Sequence, residues 1–118
     1  MGLRVGSWKT VTIAKDANPA VSAETDLGAE FRSVQVYAPA IDNATITVKP
    51  SRLTADTAVQ GYTFNDAATG DFVNTTTART TAGMNVFKDI CARFVTVLLG
   101  ATQTTLARTL YIRGVDPI

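Results

Sequence analysis

The closing segment of the chain alternates in hydropathy with a period of two, and this pattern constrains the fold more than any other feature. Residues 93–114 read RFVTVLLGATQTTLARTLYIRG. Successive side chains of a β-strand point to opposite faces of its sheet, so alternate residues share one face. The shared faces hold Arg93, Val95, Val97 and Leu99 in a first predicted strand, and Leu106, Arg108, Leu110 and Ile112 in a second. We therefore predict two long strands joined by a short polar connection, with Val97, Leu99, Leu110 and Ile112 in the core.

The same alternation recurs throughout the preceding sequence. The earlier predicted strands are Lys9–Ala14, Phe31–Ala38, Ala44–Lys49, Gln60–Phe64 with Phe72 and Val73 across a turn, and Met84–Phe87. Turn-forming residues separate them, notably Asn18-Pro19, Pro39, Asp42-Asn43 and the hairpin loop NDAATGD at 65–71. No stretch has convincing helical periodicity. The sequence therefore predicts an all-β, single-domain β-sandwich that is jelly-roll-like, with about eight short strands. Residues 1–8 form an N-terminal arm in this prediction, and residues 9–118 form the sandwich.

The composition argues against several classes of function. The 118 residues carry a net charge of +1 with scattered basic residues, so no nucleic-acid partner is expected. Histidine is absent, which removes His-dependent catalytic pairs and His-based zinc sites. Cys91 is the only cysteine, and its apolar neighbours Ile90 and Ala92 suggest a buried thiol. We therefore expect no enzyme activity and no cofactor.

The sequence also predicts where the protein is made. The N-terminal residues MGLRVGSWKT contain no continuous apolar stretch of the kind found in a secretory signal. The longest apolar cluster, residues 94–101, is too short to span a bilayer. We therefore expect a protein made in the reducing cytosol with no membrane partner.

Three groups of polar residues suggest possible sites. Glu24 and Asp26 could be paired carboxylates, although a solvated strand edge explains them better. Residues 65–71 include Asp66 and Asp71, which could bind a cation, but a hairpin stabilised by an Asx-turn is favoured. The third group consists of the arginines of the closing segment, for which cross-strand ion pairs are favoured over a binding groove: Arg93, Arg108 and Arg113.

The two ends of the chain are unusually apolar. Trp8 either caps the core or packs against a partner, because tryptophan and arginine are enriched at interface hot spots. The arm before it holds Leu3, Arg4 and Val5, and the C-terminal tail holds Val115 and Ile118. We predict that these six residues form a protein interface, and that the arm makes contacts between chains.

In order and spacing, the motifs resemble those of a known class of virion protein. The motifs are KTVTIA at 9–14, the DLG turn at 26–28, VQVYAP at 34–39, ATITVKPS at 44–51, YTFND at 62–66 and the closing residues 92–114 with Gln103 between the strands. Together they resemble small β-sandwich structural proteins of tailed-bacteriophage virions, of the decoration or cement type. The resemblance covers nearly the whole chain.

The resemblance implies a structural role without catalytic residues. It implies a capsid decoration or cement protein that binds the major capsid protein and stabilises the head, as a homo-oligomer, with a trimer favoured. The expected location is the capsid surface of a virion assembled in the host cytoplasm. The alternative is a carbohydrate- or receptor-binding module of a phage tail tip or spike. That alternative requires an exposed aromatic platform beside polar side chains. The sequence leaves open whether the aromatic residues of the predicted strands are exposed or buried: Tyr37, Tyr62, Phe64, Phe72 and Tyr111.

Overall fold

The computed structural model describes residues 4–51 and 75–116, and all the regular secondary structure in these two segments is β-strand. The nine strands are β1 (Arg4–Val5), β2 (Lys9–Ile13), β3 (Ala20–Val21), β4 (Thr25–Phe31), β5 (Ser33–Ala38), β6 (Ile46–Ser51), β7 (Gly83–Phe87), β8 (Ala92–Leu99) and β9 (Arg108–Asp116). They form two antiparallel sheets that pack together, which confirms the predicted all-β sandwich.

Each sheet is built around one strand of the closing segment. In sheet A, β9 pairs with β5 on one side, and β7 follows beyond β5; β1 and β2 pair in succession along the other side of β9. In sheet B, β8 pairs with β6 on one side and with β3 and β4 on the other. The strands from β4 to β9 alternate between the two sheets. The two closing strands therefore lie in different sheets, and residues 100–107 cross between them.

The core lies between the sheets and includes the four residues predicted from the alternation of the closing segment. Val97, Leu110 and Ile112 are fully buried, and Leu99 is 2% exposed, so this prediction is confirmed. The other sheet positions that face them are filled mainly by β-branched residues, which suit a pleated surface: Val11, Ile13, Val34, Val36, Ile46, Val48 and Val95.

The sheets come closest where Phe31 of β4 packs on the end of β9. A Cβ atom on Gly114 would overlap the Phe31 ring, and one on Gly6 would lie 3.1 Å from its Cζ. The backbone N–H of Gly6 donates to the carbonyl of Gly114 at 2.9 Å. Glycine at these two positions therefore lets the aromatic ring lie directly on the backbone of sheet A.

Strand β4 was missed because its first half was interpreted as a turn. Residues 26–28, the DLG motif, lie inside β4, whose pairing with β8 shifts register between Asp26 and Phe31. Gly28 has φ 91°, a conformation that favours glycine. Its N–H donates to Oδ1 of Asp26 at 2.8 Å. The motif is therefore an irregularity within a strand.

Two further expectations are wrong in detail. Cys91 is exposed, because it lies with φ 53° in the turn before β8 while its neighbours Ile90 and Ala92 point into the core. Leu106 was predicted to lie in the second closing strand, but β9 begins only at Arg108. Leu106 therefore belongs to the crossing segment, where it is 51% exposed. The predicted strands within residues 60–73 and the loop at 65–71, with Asp66 and Asp71, lie outside the described residues.

Candidate functional site

The outward surface of sheet A carries most of the large apolar side chains that the described residues expose. Along β5 and β9 the pleat sends Val34, Val36, Leu110 and Ile112 inward, so the residues between them point away from the core. We define the aromatic face as the following residues: Trp8, Gln35, Tyr37, Met84, Val86, Tyr111 and Arg113. The five large apolar members are between 36% and 49% exposed.

Strand register places the central side chains of the aromatic face in a row. Tyr37 pairs with Met84 on one side and with Tyr111 on the other. The two tyrosine ring centroids are 6.1 Å apart with an interplanar angle of 49°, within the usual range for tilted aromatic pairs. Together with Trp8, these three side chains line a shallow open groove. Because these exposed apolar side chains are adjacent and not scattered singly, the groove is a candidate binding surface.

Arg113 lies beside this groove and is held by two neighbours. Its guanidinium carbon is 4.4 Å from the centroid of the Trp8 ring, a cation–π contact. Its Nε donates to Oε1 of Gln35 at 2.7 Å. Among the residues that the structure describes, no carboxylate forms an ion pair with Arg113. The expected cross-strand ion pair is therefore replaced by an amide and an indole ring.

The sequence-predicted interface residues lie in different places. Trp8 is part of the aromatic face. Arg4 and Val5 form β1 and pair with Asp116 and Val115, so the described part of the arm is joined to sheet A. Val115 is 3% exposed and packs within its own chain, which leaves it out of the aromatic face. Leu3 and Ile118 lie outside the described residues.

The end of β9 is fixed by a polar cluster around Asp116. Its carboxylate accepts hydrogen bonds at 2.5 Å from Nη2 of Arg4 and from the backbone N–H of Arg32. Arg4 also donates to the carbonyl of Glu30 at 2.6 Å, and its guanidinium lies 4.3 Å from the centroid of the Phe31 ring. The hydrogen bond from Arg4 is the main reason that the pKa of Asp116 is lowered. These contacts join both ends of the described chain to β4.

Asp26 pairs with Arg93 across sheet B. Nε and Nη2 of Arg93 donate to the two carboxylate oxygens at 2.8 and 2.9 Å, the two-point geometry that arginine favours. This interaction, with the N–H of Gly28, lowers the pKa of Asp26 to about 2. The cross-strand ion pair expected for Arg93 is therefore present, and Asp26 lies on an edge strand with its side chain 45% exposed.

The segment that crosses between the sheets is fixed by Gln103. Gln103 is fully buried; its Oε1 accepts from the N–H of Asp42 at 2.8 Å and from Nε of Arg108 at 3.1 Å. Its Nε2 donates to the carbonyls of Asp42 and Ala101, both at 3.1 Å. All the hydrogen-bonding capacity of the amide is used, so the cluster is structural.

Asp42 completes the same cluster through its carboxylate. It accepts from the N–H groups of Thr104 and Thr105 at 2.8 and 3.3 Å and from Nη2 of Arg108 at 3.1 Å. These interactions, first of all the N–H of Thr104, lower the pKa of Asp42. Arg108 at the start of β9 therefore forms an ion pair, but its partner Asp42 lies in the loop between β5 and β6 and not on a neighbouring strand.

The described residues provide little for metal binding or a membrane span. Residues 4–51 and 75–116 contain no group of three or more acidic or cysteine side chains placed to hold an ion. In the same two segments there is no helix of the length and hydropathy needed to cross a bilayer. The aromatic face is therefore the candidate site with the clearest chemistry.

From the sequence, Trp8 was an interface candidate, and Arg113 was considered for a binding groove but assigned to an ion pair. Tyr37 and Tyr111 were left undecided, because apolar residues occupy both faces of the predicted β5 and β9. Met84 and Val86 were expected in a strand but not on a binding surface. Hydropathy did not show that they are exposed, because Met84 and Val86 share one face of β7 while Phe87 lies on the other, so both faces hold apolar side chains. Comparison with protein-family models, curated proteins and solved structures gave no significant match.

Proposed function

We propose that this chain is a structural protein of a bacteriophage virion, a decoration or cement protein that binds the major capsid protein on the head surface. The single observation that carries the proposal is the aromatic face, an exposed apolar surface on a sandwich whose core is already well filled. A partner that covers such a surface removes apolar area from contact with water, and this removal favours binding. The motif resemblance described above supplies the virion context.

The composition of the aromatic face supports a protein partner. Tyrosine, tryptophan, methionine and arginine are enriched in protein interfaces, whereas lysine, glutamate and aspartate are depleted. The face has four of the enriched types and none of the depleted ones among its seven residues. It also lies on paired strands, which hold the side chains in fixed positions and reduce the entropy lost on binding.

The proposed mechanism is the covering of apolar surface at junctions between capsid subunits. Each bound copy stabilises the assembled state by mass action, because it binds the assembled head and not the separated subunits. Many copies act on one particle, so a modest affinity for each is sufficient. A trimer around a local symmetry axis remains the proposed oligomeric state.

The test is binding to purified heads that lack the protein, measured by co-sedimentation. We expect Trp8→Ala and Tyr111→Thr each to weaken binding by at least about tenfold, with a melting temperature close to that of the wild type. Leu106→Ala is the control, because Leu106 is also an exposed apolar residue but lies outside the aromatic face. Unchanged binding by both face variants, or absence of wild-type binding, would contradict the proposal.

A second candidate function is carbohydrate binding by a tail or spike module. The observation in its favour is the exposure of Tyr37 and Tyr111 beside Gln35 and Arg113, since glycan sites combine aromatic rings with polar groups. Against it, one face of the Trp8 ring is covered by Arg113, and Met84 and Val86 offer no hydrogen bonds to a sugar. Protein binding is therefore the better-supported function.

A further inference from the structure

Arg113 provides the charge on an otherwise uncharged surface. The outward positions of β2, β5, β7 and β9 around it carry threonine, glutamine, aromatic or aliphatic side chains: Thr10, Thr12, Gln35, Tyr37, Met84, Val86, Thr109 and Tyr111. None of these positions in the described strands is aspartate or glutamate. An arginine in apolar surroundings needs a hydrogen-bonded counter-charge once a partner excludes water.

The guanidinium of Arg113 is held in position by its neighbours, but only one of its nitrogens donates a hydrogen bond within the described residues. Nε bonds to Gln35 and the group lies against Trp8. Within the described part of the chain, no acceptor bonds to its two terminal nitrogens, Nη1 and Nη2. These two nitrogens form a planar fork that matches the two oxygens of a carboxylate. Because Gln35 and Trp8 already restrict the side chain, less conformational entropy is lost when a carboxylate binds.

A second copy of this chain does not provide the missing charge. A twofold dimer through the aromatic face would place the same surface on both sides, so residues of one copy would meet the same set in the other. That contact would bring two arginines together without a carboxylate between them, in a place from which water is removed. A twofold homodimer is therefore expected to use another surface.

We infer that the aromatic face binds a protein segment in which an aspartate or glutamate side chain is flanked by apolar residues, and that Arg113 receives this carboxylate. The inference deepens the proposed function by stating the chemistry of the partner at the same face. The apolar neighbours would fill the groove lined by Trp8, Tyr37, Met84 and Tyr111. An apolar partner without a carboxylate would bind more weakly, because it would leave the Arg113 guanidinium without a counter-charge in the interface.

The experiment uses two peptides that differ in one group. The peptides acetyl-Leu-Glu-Phe-amide and acetyl-Leu-Gln-Phe-amide are titrated into the full chain, and backbone and indole N–H shifts are followed by NMR. We expect saturable shifts around Trp8, Gln35 and Tyr111 with a dissociation constant of about 1–10 mM for the glutamate peptide. The glutamine peptide should bind about tenfold more weakly.

Variants test whether Arg113 is the cause of the preference. Arg113→Gln should remove the difference between the two peptides, and Arg113→Lys should keep only part of it, because lysine has the charge but not the fork. Lys15→Gln is the control for general charge, since Lys15 lies outside the aromatic face. Thermal unfolding of each variant checks that the fold is intact. Equal binding of the two peptides by the wild type, or shifts outside the face, would overturn the inference.

If a glycan or a second copy of the chain occupies the aromatic face instead, the binding experiments will show it. Saturable shifts at the same residues with N-acetylneuraminic acid or lactose, and none with either peptide, would assign the face to a glycan and overturn the inference. A concentration-dependent dimer in sedimentation equilibrium that Trp8→Ala abolishes would assign it to a second copy, with the same consequence. Selective binding of the glutamate peptide together with no binding to heads would refute the capsid role and support the inferred partner chemistry.

Discussion

At the residue scale, a few polar side chains decide how the irregular parts of the chain are placed. Gln103 is the clearest case, because it is fully buried and its amide makes four hydrogen bonds. The backbone carbonyl of Gln103 also accepts a hydrogen bond from the N–H of Asp16 at 2.8 Å. A buried amide is tolerated only when its hydrogen bonds are satisfied. Gln103 therefore joins three segments that are distant in sequence.

Replacing this amide by an apolar side chain of similar size should destabilise the protein. Gln103→Leu leaves the N–H of Asp42 and two carbonyls without their partners, and each such buried group costs about 1–3 kcal/mol. We expect the free energy of unfolding to fall by at least about 2 kcal/mol, measured by urea denaturation. Thr104→Ala is the control, since only the backbone N–H of Thr104 bonds to Asp42. A loss below about 0.5 kcal/mol for Gln103→Leu would show that water replaces the amide.

At the element scale, each strand of the closing segment organises one sheet. β9 pairs along one side with β5 and along the other with β1 and β2, and β8 is flanked in the same way by β6 and by β3 with β4. Their inward residues are among the most buried in the described segments. The crossing segment between β8 and β9 then determines how the two sheets are connected.

Variants of two leucines near the start of β9, one buried and one exposed, test which side chains contribute to the core. Leu110→Ala should lower the free energy of unfolding by about 2–5 kcal/mol, because it removes a fully buried side chain and leaves a cavity. Leu106→Ala removes the same atoms from a position that is 51% exposed, so its effect should stay below about 0.5 kcal/mol. Chemical denaturation of both variants gives the comparison. Similar losses would mean that Leu106 is buried in solution.

The strands could be predicted wherever short runs rich in β-branched and apolar residues lie between turn-forming residues. β2, β5, β7, β8 and β9 satisfy that condition, and the inward residues Val97, Leu99, Leu110 and Ile112 of the closing segment were identified correctly. β4 failed because Asp26 and Gly28 suggest a turn, although the structure uses the glycine for an irregularity inside a strand. The aromatic face could not be predicted, because hydropathy alone does not show which of two apolar strand faces is covered.

At the scale of the whole molecule, three carboxylates connect segments that are far apart in sequence. Asp26 bonds to β8 through Arg93, Asp42 to the crossing segment, and Asp116 to Arg4 and Arg32. The pKa of each of the three is lowered, chiefly by those hydrogen bonds. Their combined effect couples the stability of the sandwich to pH.

The sign of that coupling predicts acid sensitivity. A carboxylate with a lowered pKa binds fewer protons in the folded state, so its stabilising effect is present above the ordinary value of about 3.8 and is lost as pH falls through the lowered value. We expect the melting temperature, followed by circular dichroism, to be nearly constant from pH 7 to 5 and to fall steadily from pH 4 to 2.

An arginine variant provides the control for this pH effect. Arg93→Gln should melt earlier at pH 6 and lose less between pH 4 and 2, because the pKa of Asp26 returns toward its ordinary value without the guanidinium. Carboxyl NMR can follow Asp26 directly, with an expected pKa of about 2 in the wild type. A melting temperature that does not change down to pH 2 would contradict the role of the three carboxylates.

The alternation along β9 has a consequence for how such a chain could change during evolution. Leu110 and Ile112 are needed for folding, whereas Tyr111 and Arg113, between them, face outward and are available for recognition. Substitutions at the outward positions can accumulate without loss of the fold, while an insertion or deletion of one residue would exchange the two sets. The strand can therefore diversify its partner by point mutation alone. A library randomised at Tyr37, Met84, Tyr111 and Arg113 should yield folded binders to new targets from this scaffold.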